Sequence, residues 1–161
     1  MPVTDVSHDL ESLRLTIVAE FAAPVQRIWD LYADPRQLEK IWGPPSHPAT
    51  FVDHALVVGA RTNYFMTGPE GEKYPGYWII TLVEEPTRLC FDDGFADEDF
   101  NPNPALPVSK NEFRFEEIGG GTRATYTSTY ESREGLEQVL SMGVVEGATS
   151  SINQIDGLLL A

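Results

Sequence analysis

Residues 24–45 read PVQRIWDLYADPRQLEKIWGPP, and this stretch decides the fold. Val25, Ile28, Trp29 and Tyr32 fall at helical spacing, and Pro24 suits a helix's first turn, where its missing N–H costs nothing. Ala33-Asp34-Pro35 ends that helix, because a residue before proline disfavours the α region. Asp34 then caps a second helix that opens on Pro35 and turns Leu38, Ile41 and Trp42 inward. Gly43-Pro44-Pro45 stops it. The spacing thus predicts two short helices around a proline-marked break.

Upstream, Leu13, Leu15, Ile17, Ala19 and Phe21 alternate with Arg14, Thr16, Val18 and Glu20, the period-two pattern of a strand with one buried face. Residues 1–9 read as a loose polar leader. Downstream the signals turn to β-structure, with strands expected over 51–58, 61–67, 77–83, 88–92, 111–116 and 122–130. Residues 93–107 are acidic, contain Pro102, Pro104 and Pro107, and are punctuated by Phe95 and Phe100. Loops of that length are uncommon, and this one reads either as a flap over a cavity mouth or as plain floppy chain. The tail, 133–161, lacks proline and returns to helical periodicity, with Leu136, Val139, Leu140, Gly143, Val144, Gly147, Ala148, Ile152, Ile155 and Leu159 on one broad stripe. As one helix it would run some 40 Å at about 1.5 Å per residue. Its small residues either permit close packing on a sheet or keep space for a ligand.

The whole chain, 1–161, is most economically one domain. It carries 11 basic and 25 acidic residues, a net charge of −14, which disfavours nucleic acid and anionic membrane surfaces as partners. No apolar run approaches the about 18 residues of a membrane span, and no signal peptide is visible, so a cytoplasmic location without membrane insertion is expected. Cys90 is the single cysteine, which excludes an intrachain disulfide and a cysteine-based zinc site; Leu89 and Phe91 beside it suggest a buried thiol.

Strand, helix pair, further strands and long C-terminal helix form an α+β order that resembles the helix-grip fold of the START-like (SRPBCC, birch-pollen-allergen-like) superfamily. Within it the chain is most similar to bacterial homologues of the activator of heat shock protein 90 ATPase. The resemblance rests on Ala23-Pro24-Val25 with Ile28-Trp29, Asp34-Pro35 with Leu38, Trp42-Gly43-Pro44, Val58-Gly59-Ala60, Glu85-Pro86-Thr87-Arg88-Leu89 and Gly121-Thr122-Arg123, in that order. It implies a curved antiparallel sheet of about six or seven strands wrapped around the long helix. The chain departs from the pattern at Ile41, where a Trp is common, at Ala60, where a second Gly is usual, and at Ala148, where the helix usually carries Trp. The loss of that Trp leaves either a wider pocket or a gap filled by a neighbouring aromatic.

No constellation demands catalysis, so no catalytic residue is assigned. His8, His47 and His54 have no metal spacing, and no nucleophile elbow, phosphate loop or dinucleotide fingerprint is present. No metal or cofactor is expected. Asp92-Asp93 and Asp97-Glu98-Asp99 read as a solvated charged loop. Residues expected to face inward are Trp42, Phe51, Tyr64, Met66, Phe91, Phe113, Phe115, Tyr126 and Met142, with Phe95 and Phe100 as the flap aromatics. As a set they describe an apolar pocket with a few phenol hydroxyls, suited to a small hydrophobic or aromatic molecule. Non-enzymatic binding of such a molecule is the leading expectation. The resemblance also implies two alternatives: a cyclase-, aromatase- or hydrolase-like enzyme using the same cavity, and a chaperone-modulating interaction domain. A homodimer is compatible with each.

Overall fold

A computed structural model describes residues 2–160. Its strands are β1 (Val3–Asp9), β2 (Arg14–Phe21), β3 (Ala49–Asp53), β4 (Arg61–Thr67), β5 (Lys73–Glu84), β6 (Arg88–Phe95), β7 (Ser109–Ile118) and β8 (Gly121–Tyr130). All pair antiparallel in one sheet of order β1-β2-β8-β7-β6-β5-β4-β3. The helices are α1 (Val25–Ala33), α2 (Pro35–Leu38), α3 (Arg133–Ser141), α4 (Val144–Asn153) and α5 (Ile155–Leu159). This is the helix-grip architecture, with eight strands rather than six or seven.

The extra strand comes from the segment expected to be a loose leader. Residues 3–9 pair along β2, and Val3 and Val6 pack against the core. Most of β1 is exposed, as befits an edge strand, so it carries no strong apolar alternation to read. Met1 of that leader and Ala161 of the tail lie outside the described residues.

The sheet's concave face follows the period-two pattern. Leu15, Ile17, Ala19 and Phe21 of β2 face inward, as do Phe113 and Phe115 of β7 and Ala124 and Tyr126 of β8. The helix pair wedges against one end of this face through Ile28, Trp29, Leu31, Tyr32 and Leu38. Asp34 caps α2 by accepting a hydrogen bond from Arg36 N at 2.9 Å. That helix is one turn long, and Ile41 and Trp42 follow it in a hydrogen-bonded turn closed by Trp42 N to Leu38 O at 2.9 Å. Two side chains of this segment cover the outer edge of β3. Glu39 Oε2 accepts from Phe51 N at 2.8 Å, and Arg36 donates to Phe51 O at 2.9 Å.

β3 ends at Asp53 rather than at residue 58. Its register shifts between Phe51 and Asp53, and His54 then turns in to donate from Nε2 to Tyr32 O at 2.7 Å. Its Nδ1 is left to accept from Thr62 Oγ1 at 2.9 Å, and burial holds its pKa below the usual histidine value. Val57 and Val58, expected in the strand, are exposed.

The tail is helical throughout most of its length but is not one helix. Gly143 adopts φ +86°, a left-handed conformation that L side chains resist, and it separates α3 from α4. Gln154 marks the step into α5 and donates from Nε2 to Gly43 O at 2.8 Å, tying the tail to the Trp-Gly-Pro-Pro turn. Among the described residues no helix is long and apolar enough to cross a membrane.

Candidate functional site

A cavity of about 360 Å³ lies between the tail helices and the sheet. Small residues form part of its roof: Gly143, Gly147 and Ala148 line it, and a Cβ added at Gly147 would meet nothing within 4 Å. Space therefore remains beneath this part of the tail, and Ala148 borders it. Met142 also lines the cavity while being 54% exposed, which places it at the opening rather than in the interior.

The aromatic residues singled out from the sequence separate into two sets. Trp42, Tyr64, Met66, Phe113 and Tyr126 line the cavity, and Phe95 of the expected flap joins them. Phe51, Phe91 and Phe115 lie behind them as core. Phe51 stacks on Tyr64 at a centroid distance of 5.2 Å, Phe91 on Trp78 at 4.0 Å, and Phe115 on Tyr32 at 5.7 Å. Period-two alternation assigns a face of the sheet, but it does not separate a cavity wall from packed core on that face.

Phe100 does not line the cavity. It sits at φ +62° in a turn held by its own hydrogen bonds: Asp97 Oδ1 accepts from Asp99 N at 2.9 Å and Asn101 N at 3.0 Å, and the Phe100 carbonyl accepts from Arg61. β6 extends to Phe95, so the connecting loop is shorter than 93–107.

The polar part of the wall is less legible in the sequence than the aromatic part. Tyr64 donates its hydroxyl hydrogen bond to Asp93 Oδ1 at 2.8 Å. Burial pushes the Asp93 carboxyl up to about 7, against the smaller opposing pull of the Tyr64 hydroxyl. Tyr64 is pushed well above its usual value by burial first, then by the charge of Asp93 and the hydrogen bond to it. Trp42 Nε1 counts among the buried polar atoms with no hydrogen-bond partner; it lies close enough to Tyr64 to oppose that rise slightly.

Asp93 reads in the sequence as part of a solvated acidic loop, and the structure corrects that reading. Leu89, Phe91, Asp93 and Phe95 alternate along β6 on the inner face, whereas Asp92 faces outward beside Lys110 at 3.6 Å. The available signal is the continuation of this alternation past Asp92. Cys90 shares the outer face and is only partly buried, which corrects the expectation of a buried thiol.

Two further clusters complete the wall. Ser128 Oγ donates to Asn111 Oδ1 at 2.7 Å, and Asn111 Nδ2 donates to Ser109 Oγ at 3.0 Å. The hydroxyls of Tyr32 and Tyr126 share a buried hydrogen bond at 2.8 Å. Tyr130 lines the same side, its phenol pushed up to about 12 chiefly by burial and then by the charge of Asp93. No Lys, Arg or His lies among the described lining residues, so Asp93 is the one group there that carries charge near neutral pH. Among the described residues no cluster of three or more His, Cys, Asp or Glu is placed to hold a metal ion. The arrangement can enclose an apolar body and offer hydroxyls, an amide and one carboxyl to its polar end.

The fold and this cavity define a helix-grip domain of the START-like superfamily. The family model for Activator of Hsp90 ATPase homolog 1-like protein matches residues 22–159, and the chain belongs to that family. The crystal structure of protein Ms6760 from Mycobacterium smegmatis is 71% identical, with a TM-score of 0.92 over 98% of this chain and 97% of that one. A solution structure from Arthrobacter aurescens is 46% identical, with a TM-score of 0.94 over 98% of this chain and 91% of that one. A Staphylococcus epidermidis protein at 24% identity shares the fold, with a TM-score of 0.83 over 97% of this chain and 93% of that one. No curated protein matches the chain significantly.

Proposed function

We propose that the protein binds a small hydrophobic or aromatic molecule in this cavity without transforming it. The observation that carries the reading is a space of about 360 Å³ under small roof residues, walled by aromatics and a few convergent polar groups. A ligand that occupies only the folded state raises the melting temperature by mass action. Screening a lipophilic library by thermal shift, with native mass spectrometry on the hits, tests this. Adducts are expected on the native protein, and Ala148→Trp, which fills the space beneath α4, is expected to weaken them by tenfold or more. The absence of both shifts and adducts would overturn the reading.

A second reading, an acid–base enzyme of the cyclase or hydrolase kind, is favoured by one observation. Asp93 has a pKa of about 7 beside the Tyr64 hydroxyl on the cavity wall, the profile of a group suited to proton transfer at neutral pH. Turnover of a bound ligand, lost in Asp93→Asn while binding persists, would establish it. Recovery of the ligand unchanged after prolonged incubation would favour the first.

A further inference from the structure

The Asp93 carboxyl is the least explained group on the wall. One oxygen accepts from Tyr64, the other makes no hydrogen bond among the described residues, and the residue lines the cavity. Among the described residues no cation answers it. Lys110 pairs with Asp92 on the opposite face of the sheet, and Arg61 is engaged by Asn63, the Phe100 carbonyl and the Tyr77 ring. A carboxylate removed from bulk water without a counter-ion is costly unless a partner supplies the charge.

The surroundings suit a cation. Trp42, Tyr64, Phe95 and Tyr130 share the cavity wall with Asp93, and aromatic faces attract ammonium groups. The chain's net charge of −14 favours entry of cations and opposes that of anions.

We propose that Asp93 is the counter-ion for a protonated amine on an otherwise apolar ligand, so that the cavity selects hydrophobic amines over the matching alcohols and rejects the matching carboxylates. This rests on the cavity being a ligand site, as proposed above. Tyr64 supports the carboxylate through its hydroxyl, and the apolar body of the ligand lies along Ile17, Phe113 and Val139 under Gly147 and Ala148. The raised pKa of Asp93 accords with a carboxylate whose partner is a ligand.

The ionisation of Asp93 links binding to pH. The titratable groups facing it are Tyr64 from β4 and Tyr130 from β8; Ser109 from β7 is neutral, and the lining residues of α3 and α4, including Val139, Val144, Gly147, Ala148, Ser151 and Ile152, bear no charge. Both phenols titrate well above neutrality, and an alkylamine stays protonated to about pH 10. Amine affinity is therefore expected to rise between pH 6 and pH 8 as Asp93 ionises.

The test uses three probes with one skeleton, 4-phenylbutylamine, 4-phenylbutan-1-ol and 4-phenylbutanoate, titrated calorimetrically into the full chain and into Asp93→Asn. The native protein is expected to bind the amine at least tenfold tighter than the alcohol and to show no heat with the carboxylate. In Asp93→Asn, whose amide oxygen still accepts from Tyr64, the amine should fall to within twofold of the alcohol. Should Asp93→Asn fail to fold, the pH 6–8 series on the native protein decides: an affinity for the amine that stays flat overturns the proposal. Equal binding of amine and alcohol, preference for the carboxylate, or an amine preference that survives in Asp93→Asn would each overturn the counter-ion role while leaving the cavity reading intact. No binding of any probe by the folded protein overturns the counter-ion role; the library screen then decides separately on the cavity.

Discussion

The ring of Tyr64 lies against the backbone of Gly76, its partner on the neighbouring strand β5, so closely that a Cβ at Gly76 would stand 2.5 Å from both Cζ and the hydroxyl oxygen. The missing side chain at Gly76 is what lets the Tyr64 hydroxyl reach Asp93. Gly76→Ala is expected to displace the ring, break that 2.8 Å bond and cost about 1–3 kcal/mol of stability. Urea denaturation followed by tryptophan fluorescence checks this, and an unchanged midpoint would show that the ring can move without penalty.

The Tyr32–Tyr126 pair predicts a coupling. Tyr126→Phe leaves the Tyr32 hydroxyl without its partner in the core and is expected to cost about 1–3 kcal/mol. The double variant Tyr32→Phe with Tyr126→Phe should cost less than the sum of the two singles, because no orphaned hydroxyl remains. Strict additivity in a double-mutant cycle would argue that the bond contributes nothing.

The two roof glycines should respond with opposite sign to the same change. Gly143→Ala forces an L side chain into a left-handed backbone and should destabilise by about 1–2 kcal/mol. Gly147→Ala places a methyl in open space within α4 and should stabilise by up to about 1 kcal/mol through helix propensity. Thermal unfolding of the two variants side by side provides the comparison.

Asp93 gives the fold a pH signature. Its folded pKa of about 7 lies above the unfolded value near 3.8, so the folded state holds the extra proton between those limits. The stability this group contributes is fully present below about pH 4 and is lost as pH rises through 7. Carboxyls with depressed values, such as Glu112 beside Arg114 and Arg88, act in the opposite sense, being stabilising above their unfolded pKa and lost as pH falls. The comparison that isolates Asp93 is native protein against Asp93→Asn from pH 4 to pH 8. At about 1.4 kcal/mol for each tenfold difference in proton affinity between the folded and unfolded chain, the native protein should lose roughly 2–4 kcal/mol relative to the variant across that window. Parallel stability curves would show instead that the Asp93 carboxyl binds its proton equally well in the folded and unfolded chain.

The helix pair, the inward faces of β2, β7 and β8 and the family were legible because each rests on local periodicity or on short motifs in order. What escaped was decided by partners distant in sequence. β1 is held by β2 rather than by its own apolar pattern, and β3 stops early because His54 finds Tyr32 and Thr62. The tail's break depends on one backbone angle at Gly143, and its stripe continues across the interruption. Asp93 is obscured by acidic neighbours, although the alternation through Leu89 and Phe91 carries it to the inner face. Phe51, Phe91 and Phe115 share that face but pack behind the cavity, a distinction of depth that residue type does not encode.

An open sheet exposes two unpaired margins, and here neither is a clean template for a further strand. The Phe51 amide and carbonyl on β3 are already taken by Glu39 and Arg36, and β3 is only five residues long with a register shift. On the other side β1 is bulged between Val3 and Asp5, gives its Val3 amide to Asn153, and bears Asp5 and Asp9. Such margins resist edge-to-edge aggregation. The helix pair that closes one end of the sheet thereby also acts as a guard against misassembly.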